Sequence, residues 1–158
     1  MKSSFQIWKK SLPDSEIIMP DNLPDKAKYI FWRLFTPLHP FFRDNLLWLG
    51  LIKHEGRQNF LIGHIAPNYT LEDVVEFLVG KGYGNHFIAW VDDGELVGLR
   101  YVPNFSTQYH IRFFHDGEIR GHYEYTPECY PILHMRDVGM KNCNEEFLKL
   151  LGDFVVAK

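Results

Sequence analysis

The chain has 158 residues, 46% hydrophobic, 23% charged and 16% aromatic, with 17 Lys and Arg against 20 Asp and Glu for a formal net charge of −3. That length suffices for one core without a covalent staple. The composition excludes a disordered or fibrous chain, and the slight acidity excludes a global attraction to nucleic acid or anionic lipid.

Residues 1–24 carry Pro13, Pro20 and Pro24 among scattered charges and are expected as an extended lead-in, with short strands at Phe5–Trp8 and Glu16–Met19. The rest, 25–158, is expected to form one α+β domain. Ala27, Ile30, Phe31, Leu34 and Phe35 fall on one helical face, which predicts a helix over 26–35 with that face inward. Pro37 ends it, and a further helical turn is expected over 40–45. Tyr29 and Trp32 lie off the stripe, exposed or packed under the N-terminal arm. The apolar stretch 29–52 is broken by Arg33, His39, Arg43, Asp44 and two prolines, so it reads as core rather than as a membrane span. The N-terminus lacks a secretory apolar leader, and a cytoplasmic location is expected.

LLWLGLIK (46–53) and NFLIGHI (59–65) flank HEGRQ and predict a hairpin near 46–65. Thr70 and Asp73 mark a helix start, and Leu71, Val74, Val75 and Leu78 form the buried face of a helix over 71–79. One of Gly80, Gly82 and Gly84 should supply its left-handed cap. Near the C-terminus Pro131 opens a helical segment and Gly139 follows it. A last helix over 145–154 buries Phe147, Leu150, Leu151 and Phe154.

The most informative stretch is 86–125, where HFIAWVDDGELVGLRY and YHIRFFHDGEIRGHYE align at an offset of 23 residues. A repeated hairpin predicts an antiparallel meander with strands near 86–91, 95–102, 107–114 and 118–125. In the second copy a two-residue turn would mix apolar and charged side chains on one face. A three-residue loop, His115-Asp116-Gly117, instead pairs Phe113 with Ile119, Ile111 with Gly121 and Tyr109 with Tyr123, and so separates the faces. This register is adopted.

The opposite face then carries His110, Arg112, Phe114, Glu118, Arg120, His122 and Glu124, with His110 facing His122 and Arg112 facing Arg120. Directly opposed like charges are destabilising, which suggests a site for a small anion bearing phosphate or carboxylate. Arg112 and Arg120 would clamp it, Phe114 and Glu124 would line the site, and His110 and His122 would carry protons. His110, His122 and Glu124 also form a two-histidine, one-carboxylate metal set. Two adjacent guanidinium groups would repel a divalent cation, so metal ranks below anion unless the arginines turn away to meet Glu118 and a carboxylate from another element. The plain alternative is a solvated sheet face with the arginines paired to Glu118 and Glu124. His64, His86 or His134 could approach, although His134 reads as a half-buried helix residue.

Two other functions compete. A sheet exposing Phe114 among Arg and His could stack and bind nucleic acid, and a surface using Tyr29 or Trp32 could dock a protein. No phosphate-binding loop, nucleophile elbow or HExxH pair is present. Cys129 and Cys143 lack CxxC or metal-finger spacing, and no cofactor is implied.

Overall fold

A computed structural model describes residues 4–50, 60–85, 91–136 and 138–158 of the chain. Its centre is an antiparallel sheet in the order β2-β3-β4-β5-β1-β6. In chain order the strands are β1 (Phe60–Ile65), β2 (Gly84–Asn85), β3 (Glu95–Asn104), β4 (Thr107–Phe114), β5 (Glu118–Tyr125) and β6 (Val155–Ala157). Strands β3, β4 and β5 make the expected meander, and β4 and β5 pair as the segregated faces require: Phe113 with Ile119, Ile111 with Gly121, His110 with His122 and Arg112 with Arg120. The turn has its glycine in the left-handed region, Gly117 at φ 81°, with the Gly117 N–H donating to the Phe114 carbonyl at 3.0 Å.

One face of the sheet is the hydrophobic core. Val97, Leu99, Ile111, Phe113 and Ile119 pack against Val74, Val75 and Leu78 of α4 (Leu71–Gly80) and against Phe147 and Leu151 of α6 (Asn144–Leu151). Helix α4 starts where the sequence places it, because Thr70 and Asp73 form a reciprocal capping box that satisfies otherwise orphaned N–H groups. It ends at Gly80, and the chain turns away at Gly82, the glycine among the three that takes positive φ, at 89°. Helix α6 stops at Leu151. A 3-10 turn over Gly152–Phe154 takes the place of the last residues of the expected helix and leads into β6 just beyond it.

Three N-terminal expectations change. The segment expected as a strand at Phe5–Trp8 lies in helix α1 (Ser4–Ser11), which packs Phe5 and Trp8 against the core. Helical spacing of these two rings, tilted together with centroids 5.5 Å apart, outweighs the strand preference of each residue. Residues 16–19 form no strand; the sheet edge is met just before them, where Asn85 exchanges backbone hydrogen bonds with Pro13 and Ser15. Helix α2 (Leu23–Phe35) is present, but its predicted inner stripe faces outward: Ile30, Phe31 and Leu34 are exposed while Trp32 is buried. Periodicity identifies a face without saying which side the protein occupies. Here Trp32 points inward, and Phe35 stacks instead on Phe42 of α3 (His39–Trp48) at 5.1 Å.

Of the hairpin expected over 46–65, the second arm is β1, which joins β5 and β6 rather than a local partner. The first arm begins as the end of α3, and residues 51–59 lie outside the described residues. So do 86–90, nearly all of the first strand expected in the meander; just before them the short strand β2 pairs Gly84 with Arg100. Among the described residues no helix is long and apolar enough to cross a membrane.

The turn yields a first prediction. An L-residue in the left-handed region costs about 1–2 kcal/mol, with asparagine the best-tolerated substitute. Gly117→Val should therefore lower stability by roughly that amount, while Gly117→Asn loses much less. Equal denaturant midpoints for the two variants would contradict this turn geometry.

Candidate functional site

The face opposite the core is buried as well. Gln108 and His122 are completely inaccessible, and Arg100, His110, Arg112 and Glu124 are nearly so. The roof comes from distant parts of the chain: Ser15 from the N-terminal arm, Glu128 from the segment after β5, and His134 from helix α5 (Pro131–Met135). A polar face that sequence reads as half solvated thus becomes an interior, where each charge must find a partner.

The two opposed arginines do so separately. Arg112 meets Glu95 at 2.8 Å and Asp92 at 3.0 Å, carboxylates from the turn that precedes β3 and from its first residue. Gly98, across from Arg112 in the register, makes this approach possible, since a Cβ there would sit 2.5 Å from Glu95 Oε1. Arg120 turns the other way. Its guanidinium binds Glu118, two residues back on its own strand, and lies 4.4 Å above the Phe114 ring. Phe114 is buried beneath it, not exposed as a stacking surface. The arginines therefore part, each toward its own carboxylates.

What remains between them and the end of β5 is a cluster centred on Glu124. Its Oε1 lies 3.3 Å from His122 Nε2, 3.6 Å from His110 Nε2 and 2.9 Å from Gln108 Nε2, which donates to it. Its Oε2 lies 3.2 Å from His134 Nδ1, a nitrogen also 2.9 Å from the Tyr125 carbonyl. The rings of His110 and His122 stack at 5.4 Å with 16° between their planes, as expected of directly opposed residues on adjacent strands. Burial alone would push the Glu124 carboxyl up, but His134, His122 and His110 together hold it well below the usual carboxylate range.

One ligand atom from each of His110, His122 and Glu124 lies within 4.8 Å of the other two. Around a zinc-like ion with bonds of about 2.0–2.1 Å, tetrahedral ligand atoms stand roughly 3.3–3.4 Å apart. The two nitrogen–carboxylate spacings, 3.3 and 3.6 Å, lie near that value. Beside the cluster a cavity of about 40 Å³ is lined by His110, Arg112, Lys9 and Glu95 among others, room enough for water.

His134, read from sequence as a half-buried helix residue, is one, yet it also reaches Glu124. Its placement depends on the chain turning back over β5, which no local pattern announces. His64 is exposed on β1, and His86 lies outside the described residues. Arg100 and Gln108 were not singled out from sequence, although their register positions, opposite His110 and Glu124, put both on this face. The cysteines offer no nucleophile: burial pushes Cys143 up to about 12 and raises Cys129 as well, and a thiol held protonated is inert.

Comparison with protein-family models, curated proteins and solved structures finds no match to this chain.

The depressed Glu124 carboxyl has a pH signature in the metal-free protein. A carboxyl with a lowered folded value contributes stability that is complete above its unfolded value, about 4.3 for Glu, and that is lost as pH falls through the folded value. Wild-type stability should therefore drop more steeply between about pH 5 and pH 2 than that of Glu124→Gln. Parallel denaturant-midpoint profiles would show that the carboxyl is not held low.

Proposed function

We propose that this chain binds a divalent transition-metal ion through His110 Nε2, His122 Nε2 and the Glu124 carboxylate. The observation that carries the reading is the convergence of two imidazoles and one carboxylate inside a closed polar interior while both arginines turn away to carboxylates of their own. Imidazole and carboxylate together suit zinc, iron(II) and their first-row neighbours rather than calcium or magnesium.

Three protein ligands are the complement of a centre that keeps a position for an exchangeable group, whereas structural zinc sites close with four. The cavity that His110 shares with Arg112, Lys9 and Glu95 has room for water on one side of the cluster. The small carboxylate- or phosphate-bearing ligand suggested by the opposed arginines would then be held by the ion. Arg112 and Arg120 already have protein carboxylates, so the unpaired charge behind a direct arginine clamp is gone. For a base-stacking sheet the required aromatic, Phe114, is covered; of the two rings named for a docking surface, Trp32 is buried and Tyr29 half-buried.

The test is a titration of chelator-treated protein with Co²⁺, read by its visible ligand-field bands and by thermal melting. The wild type should take up one ion per chain, and at about 100 times Kd gain roughly 2.7 kcal/mol of stability. His122→Ala and Glu124→Ala should remove both responses. A wild type showing neither bands nor a melting shift with Co²⁺ or Zn²⁺ at about millimolar concentration, where even weak sites fill, would end the metal reading.

A further inference from the structure

We infer that Gln108, locked in one orientation by Arg100, is a positioning residue that aims the Glu124 carboxylate at the metal, an inference that rests on the metal reading above. Arg100 stands opposite His110 on β3 and β4, and Gln108 opposite Glu124 on β4 and β5. The four side chains share one face, and a line of hydrogen bonds crosses three strands. Arg100 Nη1 donates to Gln108 Oε1 at 3.0 Å, and Gln108 Nε2 donates to Glu124 Oε1 at 2.9 Å.

The direction of that line is forced. A guanidinium has donors only, so the amide oxygen must face Arg100 and the NH₂ must face Glu124. The flipped amide would set donor against donor at one end and oxygen against carboxylate at the other. Arg100 is held against swinging away, because the same Nη1 also donates to Glu128 Oε1 at 3.0 Å and Nε donates to Ser15 Oγ at 2.6 Å. On the far side His134 Nδ1 stands 3.2 Å from Oε2. Each carboxylate oxygen thus has a hydrogen-bonding neighbour on the side away from the other, which fixes the plane of the group. Outer hydrogen bonds of this kind typically change metal affinity by about 10–100-fold.

A buried glutamine that merely satisfies its neighbours would affect stability and leave the metal's spectrum alone; a positioning residue changes the ligand field. Chelator-treated wild type, Gln108→Met and Arg100→Lys are titrated with Co²⁺, with the melting temperature of each metal-free protein recorded alongside. Gln108→Met should weaken Co²⁺ binding by about 10–100-fold and shift the visible bands. Arg100→Lys still presents only donors to Oε1 and should keep the wild-type spectrum. If Gln108→Met fails to fold, Gln108→Asn replaces it: that variant keeps an amide beside Arg100 but withdraws the donor from Glu124, and the same weakening and band shift are expected. A wild type that binds Co²⁺ with a foldable Gln108 variant that matches it in affinity and spectrum overturns this inference and leaves the metal site standing. A wild type that binds no Co²⁺ overturns the metal reading and this inference with it.

Discussion

The pairing of Phe113 with Ile119 at the mouth of the β4–β5 turn governs everything above it. Side chains alternate across a pleated sheet, so once these two apolar residues face α4 and α6, His110, Arg112, Arg120, His122 and Glu124 must face the other way. A slip of one residue would bury the charges against the helices and expel the core. Because most of that second face is also roofed, His110, Arg112, His122 and Glu124 have no solvent to fall back on, whereas Arg120 and Glu118 at its margin are partly exposed. Leaving one member of a buried ion pair uncompensated costs about 3–5 kcal/mol, and the side chains sort accordingly: Arg112 with Asp92 and Glu95, Arg120 with Glu118, Arg100 with Glu128 and Gln108. The histidines gather around Glu124, which also accepts from Gln108.

Much of this was legible in the amino-acid sequence, and for local reasons. An Asp-Gly turn admits few geometries, and the requirement that apolar residues share a face chose among them, which placed His110 against His122 and Arg112 against Arg120. The capping box at Thr70 and Asp73 and the stripe at Val74, Val75 and Leu78 are equally local. The failures concern which surface covers which. Helix α2 was legible as a helix, but burial of Trp32 in place of Ile30, Phe31 and Leu34 depends on where α2 lies against the rest of the chain. The partners of Arg112 come from the turn before β3, and His134 and Glu128 arrive from beyond β5. Contacts of that kind leave no periodicity to read.

The internal repeat adds a subtler lesson. By sequence Ile119 and Gly121 correspond to Leu96 and Gly98, an offset of 23 residues. In the sheet, however, Phe113 links Ile119 to Val97 and Ile111 links Gly121 to Leu99, an offset of 119 minus 97, or 22. The irregularities in β3–β4 pairing, between Glu95 and Val97 and between Tyr101 and Asn104, absorb the difference of one. One residue inverts the facing. Arg100 matches the core residue Tyr123 in the alignment, yet stands on the polar face in line with His110 and His122.

His110, His122 and Glu124 all belong to one hairpin, joined by the tight turn at Gly117, while the groups that enclose them come from both ends of the chain. Closing a short loop carries a small entropic cost and takes microseconds, whereas bringing together distant segments is slower. His110, His122 and Glu124 stand in register once β4 pairs with β5, and Ser15, Glu128 and α5 cover them from elsewhere in the chain. The geometry of the cluster is thus set by one tight hairpin and its burial by segments far from it in sequence, so a change in the roof can alter exposure of the three side chains without altering their register.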